Sequence, residues 1–304
     1  MTESPNFNNQ QIFMGKYTLN DLEKLTGIKA DTIRIWEKRY RITTAHRTET
    51  NRRWYTDDDL RKLLNISILN RNGFKISSIA FLPADHLEEK TAEIFNSRTG
   101  PDLIADSLII AMTRMDEEAV NEILLQSVIK RGFEDTFTTV VFPFLNKVGV
   151  MWHTGSVNVG TEHFITNIFR RKLIAGFENL RSPKVSGSKK ILMFLPENEF
   201  HELGLLYFAY IARSLGHQVL YLGQSTPLEA AVEASEEWSP DLIITGALSG
   251  ISVEDPDDFI TKARTLFGGI NLLLSGSLAQ AANRRKVPGV YPCRTKKDLE
   301  KLFR

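Results

Sequence analysis

The 304-residue sequence predicts a multidomain protein in which a winged helix-turn-helix precedes a four-helix-type bundle and an α/β doubly wound sheet. Three observations predict this order. Basic residues are concentrated in the first third, apolar residues recur at helical spacing in the middle, and short apolar runs alternate with helical patterns in the last part. We therefore divide the chain into domains at residues 1–84, 85–182 and 183–304, each of ordinary domain size.

The overall composition excludes several classes of protein. With 42% apolar and 25% charged residues and a net charge of +1, the chain is predicted to be globular rather than disordered. The single Cys293 excludes an intramolecular disulfide and a structural zinc site made of several cysteines. Neither a signal peptide nor a run of 18 apolar residues is visible, so we expect a cytoplasmic protein without a membrane span.

The first segment is predicted to fold as a winged helix-turn-helix. The stretch YTLNDLEKLTGI has leucines at helical spacing and ends at Gly27, which suits a helix C-cap, and KADTIRIWEKRYRI continues as a second helix. AHRTETNRRWY then predicts a basic β-hairpin, the wing, after which Thr56 is the N-cap of another helix. Between Lys29 and Tyr55 there are eight Lys or Arg and three Asp or Glu, enough to neutralise several DNA phosphates.

These stretches, over roughly residues 16 to 70, closely resemble the MerR family of transcription regulators. The resemblance implies a dimer that binds a pseudo-palindromic promoter in double-stranded DNA. The residues that we assign to DNA contact lie on the second helix, at its end and in the wing: Arg34, Lys38, Arg39, Arg41, Arg52, Arg53 and Tyr55.

The middle segment is predicted to be a bundle of four or five helices. Its helical patterns lie near residues 86–97, 101–114, 116–131, 133–149 and 158–180. The last connection contains MWHTGSVNVGTEHF, which holds two of the six histidines, His153 and His163, together with Trp152 and Glu162. An aromatic ring, a carboxylate and two imidazoles suggest the wall of a pocket, although core packing or an exposed helical turn explains each residue singly.

After RSPKVSGSKK, a linker by composition at residues 181–190, the hydrophobic period changes. The runs KILMFLP, HQVLYLG, DLIITGA and NLLLSGS alternate with helical patterns, and VPGVYP is a candidate fifth strand. This alternation predicts a parallel, flavodoxin-like (Rossmann-like) sheet, in which ligands bind at the carboxyl ends of strands. ENEFHELG places His201 at such an end, with Glu199 close enough to orient the imidazole and Gly204 leaving room for close approach.

The spacing E-x-H-x-x-G resembles the cobalamin-binding signature, in which a histidine replaces the cofactor's own dimethylbenzimidazole below cobalt. That family has Ser-x-Leu or Ser-x-Thr about 41 residues after the glycine, where this chain has Gly246-Ala247-Leu248. It has Gly-Gly about 26 residues later, where this chain has Ser275-Gly276. Gly246 removes a hydroxyl that would meet the nucleotide tail, and Ser275 adds a side chain where the tail passes closely. Both departures are expected to change the affinity for cobalamin more than they change the fold.

Trp, nine residues and then Glu-His, in a bundle behind a MerR-like head, resembles light-sensing regulators of the CarH/LitR type over nearly the whole chain. The resemblance implies that Trp152 packs against the adenosyl group of adenosylcobalamin and that Glu162 bonds its ribose, with His163 beside it. It implies that His201 is the lower ligand of cobalt and that His153 becomes the upper ligand after light breaks the cobalt–carbon bond.

Together these resemblances predict a non-enzymatic transcription regulator, a repressor controlled by adenosylcobalamin and light. The implied dark form is a homo-oligomer, dimer or tetramer, on promoter DNA. Two alternatives stay open. One is a MerR-like regulator that ignores light or has lost cobalamin binding and acts as an apo dimer. The other is a cobalamin-carrying enzyme module, but the three segments leave no room for a catalytic barrel of ~250 residues.

Overall fold

The computed structural model describes residues 16–48, 50–97, 100–153, 156–180, 187–248 and 253–303. The chain divides into two compact units, Met1–Ile168 and Phe169–Arg304, and the boundary falls inside one long helix. Most of the predicted linker lies outside the described residues. Within these ranges, no helix combines the length and the apolar character needed to cross a membrane.

The first unit begins with the predicted winged helix-turn-helix. Its elements are α1 (Leu19–Thr26), α2 (Ala30–Tyr40), β1 (His46–Arg47), β2 (Arg53–Trp54) and α3 (Asp57–Arg71). Helix α1 ends at Gly27 in the left-handed conformation, and β1 and β2 pair antiparallel to form the wing. Helix α3 begins at Thr56, whose hydroxyl accepts a hydrogen bond from the Asp59 amide while the Asp59 carboxylate bonds back to Thr56. This reciprocal cap confirms the predicted helix start.

The bundle contains the predicted helices with one difference. Its elements are α5 (Ala84–Ser97), α6 (Pro101–Thr113), α7 (Glu117–Arg131), α8 (Phe133–Thr136), α9 (Phe142–His153) and α10 (Val159–Asn179), and the short helix α4 (Ile76–Ile79) precedes them within residues 1–84. A single helix was expected at 133–149, but a π-helical stretch, Phe137–Val141, separates α8 from α9. Pro143 lacks an amide hydrogen and its ring crowds the preceding turn, so the regular hydrogen-bond pattern does not continue unchanged through it.

Two polar contacts join the helix-turn-helix to the bundle within the first unit, and one of them is buried. The Arg71 guanidinium on α3 forms an ion pair with Asp106 on α6, whose side chain is almost fully buried. The Ser156 hydroxyl, in the loop after α9, donates a hydrogen bond of 3.1 Å to the Asp21 carboxylate on α1. Because the Ser156–Asp21 contact is buried, separating its partners would leave polar groups without water.

The second unit is the predicted doubly wound sheet. Its strands are β3 (Lys190–Pro196), β4 (Gln218–Thr226), β5 (Leu242–Ala247), β6 (Asn271–Ser275) and β7 (Val290–Pro292). Its helices are α11 (Leu203–Ser214), α12 (Leu228–Trp238), α13 (Pro256–Leu266), α14 (Gly276–Arg285) and α15 (Lys296–Phe303). All strand pairs are parallel, in the spatial order β4-β3-β5-β6-β7. The strand order therefore reverses between β3 and β5, and a crevice is expected beyond their carboxyl ends.

We predict that Asp106 makes stability depend on pH. Burial raises the pKa of its carboxyl above the ordinary 3.8, although the Arg71 guanidinium opposes the shift. The folded state therefore holds this proton at higher pH than the unfolded chain does, and the carboxyl contributes less stability as pH rises from about 4 through the raised pKa. In urea denaturation between about pH 4 and pH 7, Asp106→Asn should gain stability relative to wild type as pH rises.

The control is Glu93→Gln, which removes an exposed carboxyl from helix α5 of the same unit and should show no such trend. A difference between Asp106→Asn and wild type that is constant over the whole pH range would contradict the assignment.

Candidate functional site

The loop after β3 holds a buried carboxylate against an exposed imidazole. Glu199 is fully buried, and its Oε1 lies 2.6 Å from Nδ1 of His201 and accepts the His201 backbone amide at 3.0 Å. Its Oε2 accepts the backbone amide of Leu248, beyond the end of β5, at 2.8 Å. Glu199 therefore joins the two strand ends at which the order of the sheet reverses.

This contact determines which nitrogen of His201 is available to a metal. A carboxylate only accepts hydrogen bonds, so the proton of a neutral imidazole is assigned to Nδ1 and the lone pair to Nε2. The His201 side chain is 58% exposed, so the ring is accessible while Glu199 holds its inner edge. An oriented neutral imidazole with a free nitrogen is the arrangement in which histidines ligate metals.

A second buried carboxylate, that of Glu202, directly follows His201 in the chain. Glu202, at the start of α11, accepts a hydrogen bond of 2.8 Å from the Tyr221 hydroxyl and forms an ion pair with Arg170 on α10. Burial, followed by the bond to Glu202, raises the pKa of Tyr221 far above its ordinary value, so the hydroxyl stays protonated and donates. These contacts anchor the His201 loop to both the sheet and α10.

The other strand-end residues lie as the doubly wound topology predicts. Gly246 and Ser275 are opposite one another at the ends of β5 and β6, and Gly276 follows directly. Gly276 has φ +60°, and a Cβ there would lie 2.1 Å from the Ala247 carbonyl oxygen, so any side chain would strain this position. A Cβ at Gly204 would meet nothing within 4 Å, so internal packing does not require that glycine.

The surface beside His201 suits a large, flat and partly apolar cofactor. Phe200 and Leu248 are 59% and 68% exposed, although their side chains are apolar. Together with the free Nε2 of His201, they supply one metal ligand and apolar area at the carboxyl edge of the sheet. These residues therefore fit a tetrapyrrole whose metal would take an imidazole as a ligand.

The predicted bundle residues lie at the end of α9 and the start of α10. Trp152 is 47% exposed in the last turn of α9, and His153 is the last residue of that helix. Glu162 accepts a hydrogen bond of 2.7 Å from the Thr166 hydroxyl and lies 3.6 Å from the exposed His163 ring. Both α10 residues point partly to solvent, and their predicted contacts with an adenosyl group stay predictions.

Six of the seven predicted DNA-contacting residues are exposed. They are Arg34, Lys38 and Arg39 on α2, Arg41 at its C-cap, and Arg52 and Arg53 in the wing. We call this set the basic surface. Glu37 fixes the wing to α2, because its two carboxylate oxygens bond the Ala45 amide at 3.2 Å and the Tyr55 hydroxyl at 3.4 Å.

The prediction that Tyr55 contacts DNA needs correction. Tyr55 is fully buried and pairs through its backbone with Tyr17, so its ring belongs to the core and does not face DNA. Exposed Arg47 was not among the predicted residues, yet it is the cross-strand partner of Arg53. Arg47 lies inside the hairpin sequence that predicted the wing, and Tyr55 turns inward because its backbone pairs with Tyr17.

Two family models match the chain. One, described as MerR HTH family regulatory protein, matches residues 17–82, from the strand-paired Tyr17 through α4. The other, described as B12 binding domain, matches residues 104–175, from α6 into α10. The second match falls on the bundle, which carries Trp152, His153, Glu162 and His163.

Two curated proteins resemble most of the chain. The HTH-type transcriptional repressor CarH of Myxococcus xanthus is 29% identical over 272 residues, which cover 87% of this chain and 90% of that protein. The repressor CarA of the same species is 28% identical over 252 residues, covering 79% and 78%. The chain is a homologue of these two repressors. With its two domain matches it is a DNA-binding regulator linked to cobalamin, and its curated homologues are not enzymes, as the sequence predicted.

A solved structure supports the fold. The monomethylamine corrinoid protein of Methanosarcina barkeri superposes with a TM-score of 0.54 at 14% identity, covering 66% of this chain and 94% of that one. At this identity the likeness concerns the fold alone, and it confirms the predicted doubly wound architecture.

We predict that Glu199→Gln weakens cobalamin binding by about 10- to 100-fold, the usual effect of losing such a supporting partner. A glutamine has one accepting and one donating end. If its oxygen keeps the Leu248 amide, its NH₂ faces Nδ1 of His201 and moves the imidazole proton to Nε2. Nitrogen NMR of His201 and absorbance titration with cobalamin would measure the two effects. Glu197→Gln, an exposed change in the same loop, is the control, and an unaltered tautomer with unaltered affinity would refute the assignment.

We predict that Arg53→Ala lowers the salt dependence of binding to duplex DNA of mixed sequence. Each phosphate contact contributes about 0.9 to the slope of log affinity against log salt concentration, so one lost contact should lower the slope by about that amount. Lys297→Ala removes the same charge from an exposed position on α15 of the sheet unit and is the control. Equal slopes for both variants would exclude Arg53 from the DNA contact.

Proposed function

We propose that this protein is a transcriptional repressor that uses adenosylcobalamin as a light-responsive cofactor. The observation that carries the proposal is the Glu199–His201 pair, which leaves an oriented imidazole nitrogen free at the carboxyl edge of a doubly wound sheet. It occurs in a chain whose N-terminal segment matches the MerR model and whose bundle matches the B12 model. The names of its relatives CarH and CarA support repression as the direction of control.

In this proposal the three predicted segments have separate roles: residues 1–84 bind DNA, 85–182 cover the cofactor and 183–304 hold it. His201 is the lower ligand of cobalt, and Glu199 orients it. The bound cofactor supplies a cobalt–carbon bond that green light breaks. Trp152 covers the adenosyl group, and its half-exposed indole gives the proposal the apolar area that this role needs.

The remaining bundle residues are proposed to contact the adenosyl group of the cofactor. Glu162 bonds the ribose, with His163 beside it, and the Thr166 hydroxyl already holds one oxygen of the Glu162 carboxylate in place. His153 would supply a second imidazole to cobalt after illumination. Because His153 is the last residue of α9, a change in its position bears directly on the loop that follows.

A buried contact offers a route from this loop to the DNA-binding helices. Ser156, three residues after His153, donates to Asp21 on α1, and the same carboxylate oxygen accepts the Thr18 amide and hydroxyl that cap the helix. Movement of the loop would therefore disturb the start of the helix-turn-helix. This supports a direct conformational effect on DNA binding, in addition to any change of assembly.

We further propose that the dark, cofactor-bound form is a dimer or tetramer that holds its operator through several basic surfaces at once. Linked binding sites gain affinity without new contacts, because the second site binds at high effective concentration. Dissociation of the assembly in light would then release the DNA even without a change in each basic surface.

The test is to load the full chain with adenosylcobalamin in darkness and to illuminate it with green light. Its spectrum, its elution volume and its binding to a duplex selected from a random library should all change. His201→Ala should weaken cofactor binding in the dark, and His153→Ala should alter only the illuminated spectrum. Ser156→Ala should retain the spectral change. In a dissociated subunit of this variant, light should lower DNA binding less than it does in a dissociated wild-type subunit.

The outcomes separate the alternatives. Cofactor binding without any effect of light on elution or DNA binding would identify a light-independent regulator. Absence of cofactor binding, with intact DNA binding, would identify an apo regulator. Unchanged binding by His201→Ala would remove the lower-ligand assignment.

A further inference from the structure

Ser275 is in an unusual position for a helix N-cap. It precedes α14 directly, where a serine hydroxyl ordinarily accepts a hydrogen bond from an amide of the first helical turn. Here the side chain makes no such bond, and its hydroxyl lies 3.4 Å from the Thr245 carbonyl oxygen on the adjacent strand. The hydroxyl therefore faces the end of β5 instead of its own helix.

The space that this hydroxyl occupies belongs to Gly246. A Cβ built on Gly246 would lie 1.9 Å from Ser275 Oγ and 3.1 Å from Ser275 Cβ, so a side chain at position 246 would force the Ser275 hydroxyl to rotate away and its Cβ to shift. Gly246 and Ser275 are also direct partners in the β5–β6 register. The present position of the Ser275 hydroxyl thus depends on the glycine across from it.

The pair adjoins the cofactor-binding loop. Two residues after Gly246, the Leu248 amide bonds the Glu199 carboxylate that orients His201. Gly246 is buried and Ser275 is half-buried at the carboxyl edge of the sheet, on the strand next to β5. The pattern that the cobalamin-binding resemblance leads one to expect has a serine at the first position and a glycine at the second. This chain has the reverse, and the two departures compensate each other in space.

We propose that Ser275 supplies, from β6, the polar contact to the nucleotide tail of cobalamin that position 246 cannot make. Gly246 and Ser275 act as one exchanged pair, in which the side chain has moved to the neighbouring strand. This inference rests on the proposed cobalamin site. It assigns Ser275 as a positioning residue for the tail, and it makes these departures from the familiar pattern compatible with binding.

The experiment is a cycle of the full chain with four members: wild type, Gly246→Ser, Ser275→Gly and the double variant. The thermal midpoint of each protein without cofactor is measured first. Gly246→Ser should lower it because the new side chain overlaps Ser275, and adding Ser275→Gly should restore it. Gly149→Ser is the control, since a Cβ at that helical position meets nothing within 4 Å and should not lower the midpoint.

Affinity is then measured by absorbance titration with cobalamin and with cobinamide, which lacks the nucleotide tail. Ser275→Gly should weaken cobalamin binding about five- to tenfold, the effect of one hydrogen bond, and the double variant should regain most of that loss. Cobinamide should bind equally to wild type and to Ser275→Gly, because it has no tail for the hydroxyl to contact.

Failure of this inference differs from failure of the proposed function. If wild type binds cobalamin and Ser275→Gly binds it equally well, the exchange is wrong and the cofactor assignment stands. The same holds if Ser275→Gly weakens cobinamide as much as cobalamin. If wild type binds neither compound, the proposed function is overturned together with the role of Ser275.

Discussion

The candidate cofactor site depends on one buried carboxylate. Glu199 lies where no water can reach it, and an isolated charge there would cost several kcal/mol. Its oxygens are satisfied by the His201 ring, the His201 amide and the Leu248 amide, from two loops that meet only in the folded sheet. The carboxylate thereby closes the β3 and β5 loops on each other and orients the imidazole. Loss of the contact with the His201 ring or with the Leu248 amide would leave the buried carboxylate with too few hydrogen-bond donors.

The neighbouring ends of β5 and β6 are closely packed. Gly246 at the end of β5 faces Ser275 at the end of β6, and in the next pair Gly276 lies against the Ala247 carbonyl. Interiors are packed so closely that a single added methyl group is felt. Substitution at one strand end therefore constrains the residue opposite, and the two departures from the cobalamin-binding pattern are best understood as one.

A direct effect of the bundle on DNA binding requires a physical connection to the helix-turn-helix, and the first unit has two polar ones, of which the Ser156–Asp21 contact is buried. Arg71 pairs with Asp106, and Ser156 bonds the capping carboxylate of α1. Buried polar contacts of this kind have few intermediate states, because their partners are either bonded or desolvated without compensation. A small displacement after His153 would therefore have a defined consequence at Asp21.

The sequence by itself determined the features that depend on local pattern. Capping residues, helical and strand periods and the E-x-H-x-x-G spacing are local, so the helix-turn-helix, the alternating strands and helices, and the placement of His201 after a strand were all predictable. Tertiary structure alone decided what depends on distant residues. Tyr55 turns inward because its backbone pairs with Tyr17, and Leu248 reaches Glu199 across 49 residues because β3 and β5 are neighbours. Ser275 fills the space beside Gly246 because of the strand register, and no local pattern encodes that register.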